Sequence, residues 1–261
     1  MDVFRALLHD APDASSSPDP AAPHRALLDR PDGWAVGPLV VTDERLAGLG
    51  AAADLGITLS VLVGGGAGGL TALARRAGAL PLVAAETVLR DLDDLAGNAG
   101  RVTAAAAELA DGVEVFVGVP AAPGAVEAVE VVEAAGLLGR VSLPEARSGT
   151  GAGAQLSVLV EADLPFKATG LGADPFGPDG VVALLMAVEA LVDGADPRDA
   201  DELLAGVDEH RGTNALAAWD AATSARVRRR LRGVDVVDVA ATLDRLAEAG
   251  LLDPEATAAG S

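Results

Sequence analysis

The chain has 261 residues, with 19 Lys and Arg against 39 Asp and Glu, no cysteine, and a net charge of −20. This length fits one large domain or two small ones, and an apolar fraction of 50% is enough for a sizeable core. The negative charge argues against a nucleic-acid partner, and the absence of cysteine excludes disulfides, thiolate nucleophiles and zinc–thiolate sites.

The N-terminal region predicts little regular structure. A short helix is expected over Asp2–Leu8, followed by a loop rich in Ser, Pro and Asp over residues 11–23, so that residues 1–35 form an N-terminal extension. Neither this region nor any later one contains the roughly 18 uninterrupted apolar residues of a membrane span. We therefore expect a soluble, cytoplasmic protein without a membrane partner.

Short apolar runs alternate with helical segments along residues 36–253. The predicted strands are Pro38–Thr42, Ile57–Val63, Leu82–Val88, Glu114–Val119, Arg140–Leu143, Leu164–Ala168 and Val234–Val237. This alternation is typical of βαβ units with a parallel sheet. Seven strands, with room left for an eighth among residues 199–214, favour a (β/α)8 TIM-like barrel over an open doubly wound sheet. An incomplete or degenerate barrel is kept as an alternative, and residues 254–261 are predicted to be a tail.

Several helix boundaries are marked by capping residues. Asp196 precedes Pro197 at a first helical position, and Asp238 follows the last predicted strand. The stretch Asn214–Arg232 is predicted to be helical and ends in a basic cluster, which we expect to offset the negative end of the helix dipole. This cluster comprises Arg226, Arg228, Arg229, Arg230 and Arg232.

The chemistry of such a barrel lies in the loops that follow the carboxyl ends of its strands. This rule selects polar residues and small loops at these positions. They are Thr42, Asp43, the glycine cluster from Gly64 to Gly69, Glu86, Glu145, Arg147, Lys167, Thr169 and Asp238.

Lys167 is the most informative of these residues. It is the only lysine in a chain with 18 arginines, and a primary amine with a tunable pKa is what lysine alone supplies. If its side chain points into the barrel, burial is expected to lower its pKa and leave an amine that condenses with a carbonyl to form a Schiff base. The alternatives are an amine that reaches solvent, or a structural pair with Glu86 or Glu145.

The peptide around Lys167 resembles the Schiff-base strand of class I aldolases. Over Leu164–Gly172, the order Lys167-Ala168-Thr169-Gly170 is similar to the deoxyribose-phosphate aldolase type, which places its catalytic lysine on the sixth strand. Over its full length the chain also resembles a group of uncharacterised actinobacterial proteins expected to share the barrel. The shared segments are Arg5–Asp10, Gly37–Val41, Phe166–Leu171 and Leu243–Leu252. The resemblance to class I aldolases implies that Lys167 is the nucleophile that forms the Schiff base. The second lysine of that aldolase type is absent, and Gly172 and Ala173 stand where the actinobacterial group carries two histidines.

Two carboxylates are candidates for proton transfer during such a reaction. Glu86 and Glu145 lie where a base could work, although either could instead form a salt bridge to Lys167 or Arg147. Thr169 is expected to orient the intermediate.

Gly64, Gly65 and Gly66 lie between a strand and a helix, where backbone amides can bind an anion, and Arg147 is the matching cationic candidate. The glycine cluster lacks the Gly-Lys-Ser/Thr of a Walker loop and a dinucleotide fingerprint, so a simple turn is the alternative.

The sequence therefore predicts a class I aldolase-like lyase acting on a small carbonyl or anionic substrate through Lys167, without a cofactor or a metal. Two alternatives stay open, a non-catalytic barrel that acts in binding or assembly, and a barrel in which Lys167 clamps an anion. Homo-oligomerisation is also left open.

Overall fold

The computed structural model describes residues 2–12, 19–49, 52–78, 80–149 and 151–252. Over these residues, eight parallel strands pair in chain order and the last strand pairs with the first, closing a barrel. The fold is a (β/α)8 TIM barrel, and the fold class predicted from the alternating pattern is confirmed.

The strands carry the residues of the barrel wall. They are β1 (Leu8–Asp10), β2 (Val36–Thr42), β3 (Leu59–Leu62), β4 (Leu82–Val88), β5 (Glu114–Gly118), β6 (Leu138–Ser142), β7 (Phe166–Leu171) and β8 (Leu231–Val236).

The α-helices surround the barrel. They are α1 (Ala21–Leu28), α2 (Gly66–Arg76), α3 (Leu95–Ala106), α4 (Ala125–Ala134), α5 (Leu143–Ser148), α6 (Ala152–Glu161), α7 (Val181–Val192), α8 (Pro197–Leu204), α9 (Glu209–Ala217), α10 (Ala221–Arg230) and α11 (Val239–Glu248). Short 3-10 helices cover Asp2–Phe4, Gly33–Ala35 and Asp43–Gly48.

The predicted N-terminal extension over residues 1–35 is wrong, because β1 lies inside it and pairs with β2 and β8. This strand has three residues, of which only Leu8 is apolar, so no apolar run marks it. The helix predicted over Asp2–Leu8 is a 3-10 turn at Asp2–Phe4, and α1 begins within the predicted loop. Residues 13–18 of that loop and the predicted tail at 254–261 lie outside the described residues.

The eighth strand expected among residues 199–214 is also wrong, since that segment contains most of α8 and the start of α9. The single helix predicted over Asn214–Arg232 is divided, because the Asp220 side chain accepts a hydrogen bond from the Thr223 amide (2.7 Å) and starts α10. Because β1 precedes the first predicted strand, Lys167 lies on the seventh strand and not on the sixth. The predicted caps at Asp196 and Asp238 are confirmed.

Three arginines of the basic cluster, Arg228, Arg229 and Arg230, lie in the last turn of α10, where the prediction placed the whole cluster. Arg226 pairs with Asp193 at 2.7 Å, Arg230 pairs with Asp163, and Arg228 donates to the carbonyls of Leu231 and Arg5. Arg232 pairs with Glu114 at 2.8 Å from β8, beyond the end of α10.

The apolar core lies largely between the barrel wall and the helices. Helix α7 is apolar over almost its full length and most of its side chains are buried. Because side chains alternate along each strand, the other set of strand residues points into the barrel. Several of the buried strand residues are polar or charged, among them His9, Ser60, Glu86, Lys167, Thr169 and Asp235. Within the described ranges, no helix has both the length and the apolar character that crossing a bilayer requires.

Candidate active site

The barrel encloses an ion cluster centred on Lys167. The side chain of this residue, the second of β7, is fully buried, and its Nζ contacts Oε1 of Glu86 and lies 2.5 Å from Oδ1 of Asp235. Asp235 is on β8, the neighbour of β7, whereas Glu86 is on β4, three strands away around the barrel. The ammonium therefore bridges two carboxylates across the barrel interior.

Glu86 is held by further contacts at both of its oxygens. Oε1 also accepts a hydrogen bond from Ser60 Oγ (2.7 Å), and Oε2 accepts one from Nε of Arg140 (3.0 Å). On the side of β5, the ring centroid of Phe116 lies 5.8 Å from Nζ of Lys167, within cation–π range. The ion pairs with Lys167 and Arg140 hold Glu86 between two cations.

The charges determine the protonation state of Lys167. Burial disfavours the ammonium form, but Asp235 and Glu86 favour it more strongly, so the pKa of Lys167 is raised above its usual value. The lowered pKa expected from burial alone is wrong, because the sequence does not show that two carboxylates converge on the amine. Burial also opposes the ionised form of Glu86, yet Lys167 and Arg140 outweigh it and lower the pKa of that carboxyl.

Asp235 behaves differently from Glu86. Burial and the nearby charge of Glu86 raise its pKa to about 7, and Lys167 compensates only in part. Two buried carboxylates that share one ammonium are not equally ionised near neutral pH, since like charges oppose each other. Asp235 is therefore the member of the cluster that exchanges a proton in the physiological range.

His9 is buried beside Asp235, its pairing partner on β8. The backbones of Gly37 and Gly233 lie against its ring, and a Cβ added at Gly233 would lie 2.3 Å from its Nε2. Its Nδ1 lies 3.9 Å from Oδ1 of Asp235 and makes no hydrogen bond among the described residues. Burial and the charge of Lys167 hold the pKa of His9 well below its usual value, so the ring is neutral.

Two cavities open at the carboxyl end of the strands, above the ion cluster. The first, of about 250 Å³, is lined by Asp235, Thr169, Thr42 and Arg140 among others. The second, of about 240 Å³, is lined by Glu145, Ser142 and again Arg140. Lys167 lines neither cavity. Asp235 thus connects the enclosed amine with the space that a small molecule could enter.

Arg140 lines both cavities and is the cation best placed for a ligand. Its side chain is 12% exposed and pairs through Nε with Glu86. Its terminal Nη groups form no ion pair or hydrogen bond with any described residue. A guanidinium with free donors beside a cavity is suited to a carboxylate or phosphate.

The predicted site residues are only partly brought together. Glu86 and Lys167 form the cluster, and Thr169 lines the first cavity. Glu145 is exposed on α5 and lines the second cavity without contacting Lys167. Arg147, predicted to bind an anion, instead pairs with Asp179 and donates to the carbonyl of Leu204 (3.1 Å). The structure gives no support to anion binding by Arg147.

The glycine loop before α2 is also poorly suited to an anion. Gly64, Gly65 and Gly66 line neither cavity, and a Cβ added at Gly64 would lie 4.0 Å from Oδ1 of Asp43. A carboxylate beside the loop disfavours a second negative charge there. The alternative of a simple turn, in which Gly66 has a φ of +58°, accounts for these residues.

Sequence reasoning missed Asp235, Arg140, Ser60 and His9. Asp235 and Arg140 did lie in predicted strands, Asp235 between Val234 and Val236 and Arg140 directly before Val141. A charged side chain inside a short apolar strand is a signal that could have nominated both, because it must either face solvent or be paired inside.

Comparison with known proteins adds no assignment. No protein-family model, no curated protein and no solved structure matches this chain. Among the described residues, no group of three or more histidine or acidic side chains is arranged to hold a metal ion.

Proposed function

We propose that the protein is a lyase that forms a Schiff base between Lys167 and a small carbonyl compound bearing a negative charge. One observation carries the proposal. The only lysine of the chain is enclosed in the barrel beside Asp235, whose pKa is about 7 and whose side chain also lines the cavity at the mouth. A closed barrel with its polar groups at this end is compatible with such an enzyme.

The reaction begins with proton transfer inside the ion pair. Ionised Asp235 accepts a proton from the ammonium of Lys167, and the neutral amine attacks the carbonyl carbon. The carbonyl oxygen takes one proton from the attacking nitrogen and one from Asp235 and leaves as water, and the remaining N–H proton stays on the iminium that forms. The bond between the α and β carbons of the iminium then breaks. Its electron pair forms an enamine, with the iminium as electron sink, while the β-hydroxyl loses its proton to Asp235 and becomes the carbonyl of the departing fragment. Asp235 then protonates the enamine carbon, and addition of water releases the second carbonyl product and returns Lys167 as its ammonium.

The remaining residues have separate roles in this scheme. Arg140 binds the negative charge of the substrate through its terminal donors, while Glu86 holds the Lys167 side chain through an ion pair. Thr169 lines the first cavity and orients the intermediate, and Glu145 faces the second cavity, where it can exchange protons through water.

Reduction with borohydride tests the proposal. The protein is incubated with a panel of ketones, aldehydes and 2-oxo acids, reduced, and analysed by intact mass. We expect a stable adduct, with a trapping rate that rises with pH through about 7 as Asp235 ionises. Asp235→Asn should trap about 10²- to 10⁴-fold more slowly, since the proton acceptor is lost. No adduct with any compound of the panel would overturn the proposal.

A second function is favoured by a different observation. Lys167 is fully buried, is paired with two carboxylates and lines neither cavity, as expected of a lysine that supports a binding site without reacting. In this case the barrel binds a small anion through Arg140 and performs no covalent chemistry. Binding of 2-oxo acids without any reducible adduct would identify this function.

A further inference from the structure

A groove of about 500 Å³ lies between α4 and α6 on the outer side of the barrel. Its wall is apolar and includes Val117 and Val141 from the strands and Val129, Val158 and Leu159 from the two helices. The groove exists because α4 packs mainly on α3, whereas α6 packs mainly on α7 and α8. Small side chains at Ala125 and Ala154 widen it further.

The groove continues into the mouth of the barrel. Five residues line both the groove and the second mouth cavity, namely Val119, Pro120, Ala121, Arg140 and Gln155. Among the described residues that line the groove, only Arg140 and Gln155 have polar side chains. The polar end of the groove is therefore the end that meets the candidate active site.

We propose that this groove binds the aliphatic chain of an amphipathic ligand whose anionic carbonyl end lies at Arg140. The carbonyl end rests on the function proposed above, whereas the aliphatic end rests on the groove. A volume of about 500 Å³ is in the range of small-molecule sites, and a ligand that spans a polar mouth and an apolar groove must carry both characters. The substrate class is thus a 2-oxo acid, or a similar charged carbonyl compound, with a hydrocarbon chain.

This proposal predicts how the binding affinity changes with the length of the hydrocarbon chain. Each methylene that the groove removes from water strengthens binding by about two- to fourfold, with the lower figure applying where the groove is open to solvent. Straight-chain 2-oxo acids from pyruvate to 2-oxodecanoate therefore should bind progressively more tightly until the groove is filled.

The test measures equilibrium binding of this series by calorimetry, without any reduction step. Val158→Asp places a charge in the groove at a position 42% exposed, and the matched control Val126→Asp lies on α4 at 61% exposure, outside the lining. We expect the chain-length dependence to persist in Val126→Asp and to disappear in Val158→Asp. Ala154→Trp, which fills the groove, should shorten the longest chain that still gains affinity.

Four results would overturn the inference: no binding of any acid, affinity independent of chain length, equal dependence in the two aspartate variants, or loss of a dimer in Val158→Asp, which would make the groove an interface between copies. Chain-length dependence without a borohydride adduct would reject the proposed lyase and keep the groove. A borohydride adduct without chain-length dependence would support the proposed lyase and reject the groove as a binding site.

Discussion

Nζ of Lys167 lies 2.5 Å from Oδ1 of Asp235, and the two side chains come from neighbouring strands and face each other inside the barrel. Glu86 contacts the same ammonium from the far side. Because two carboxylates share one cation, the proton equilibrium of the whole cluster decides when the amine becomes nucleophilic. Lys167 cannot be treated as an isolated buried lysine.

The protonation of Lys167 can be observed directly, because it is the only lysine. Protein labelled with [ε-¹³C]lysine should give one side-chain resonance, which we expect to titrate only above the usual pKa of 10.5, since Asp235 and Glu86 stabilise the ammonium. The same protein unfolded in urea is the control and should titrate near the usual value. A midpoint near neutral pH in the folded protein would contradict the described charge cluster.

Asp235 should make the folded protein less stable as pH rises. Its pKa in the folded state is about 7 against a usual value of 3.8, so its contribution to stability is complete below pH 3.8 and is lost as the pH rises through 7. Relative to Asp235→Asn, the wild type should lose on the order of 3–4 kcal/mol of unfolding free energy across this window.

Urea unfolding at several pH values measures this difference. Asp238→Asn is the matched control, because Asp238 caps α11 at the surface and asparagine caps helices equally well. It should keep the pH dependence of the wild type. If Asp235→Asn also keeps that dependence, Asp235 does not titrate near neutral pH.

Arg140 and Arg147 should differ in their effect on ligand binding. The terminal donors of Arg140 have no partner among the described residues and Arg140 lines both mouth cavities, so Arg140→Gln should weaken binding of a 2-oxo acid by about 10- to 100-fold. Arg147 is occupied by Asp179 and by the Leu204 carbonyl, so Arg147→Gln should bind as the wild type does. Calorimetry measures the affinity of both variants for the 2-oxo acid, and circular dichroism checks that both are folded. Equal affinities would show that Arg140 does not bind the ligand.

Two glycine substitutions test the packing below the cluster. A Cβ at Gly233 would lie 2.3 Å from the His9 ring, so Gly233→Ala should cost about 1–3 kcal/mol of unfolding free energy. Gly68, within α2, has no atom within 4 Å of an added Cβ, so Gly68→Ala should stabilise by about 0.5–1 kcal/mol. Chemical denaturation measures both values. Equal tolerance of the two alanines would show that His9 does not fill the space beside Gly233.

The strands that the sequence predicted well are those with long, largely apolar runs. The prediction for Leu82–Val88 matches β4 residue for residue, because the run is apolar apart from Glu86 and Thr87 and is bounded by Pro81. By contrast, β1 has two polar residues out of three, His9 and Asp10, and only its pairing with β2 and β8 defines it as a strand.

The sequence allowed single residues of the site to be predicted, but not which of them contact one another. Lys167 stood out by uniqueness, and Glu86 by its place near the end of a strand. Their meeting with Asp235 depends on closure of the barrel, which brings together residues 81 positions apart in the case of Lys167 and Glu86. The direction of the Lys167 pKa shift depends on those partners, so burial alone predicted it wrongly.

The most direct test of the central claim is peptide mapping after borohydride reduction with a reactive carbonyl compound. Because Lys167 is the only lysine, the sole competing amine is the α-amine at the N-terminus, and proteolysis separates the two. We predict that the added mass is on the peptide containing Phe166-Lys167-Ala168 and is absent from Lys167→Arg, which preserves the charge. Modification confined to the N-terminal peptide, or equal modification of the Lys167→Arg variant, would contradict the account.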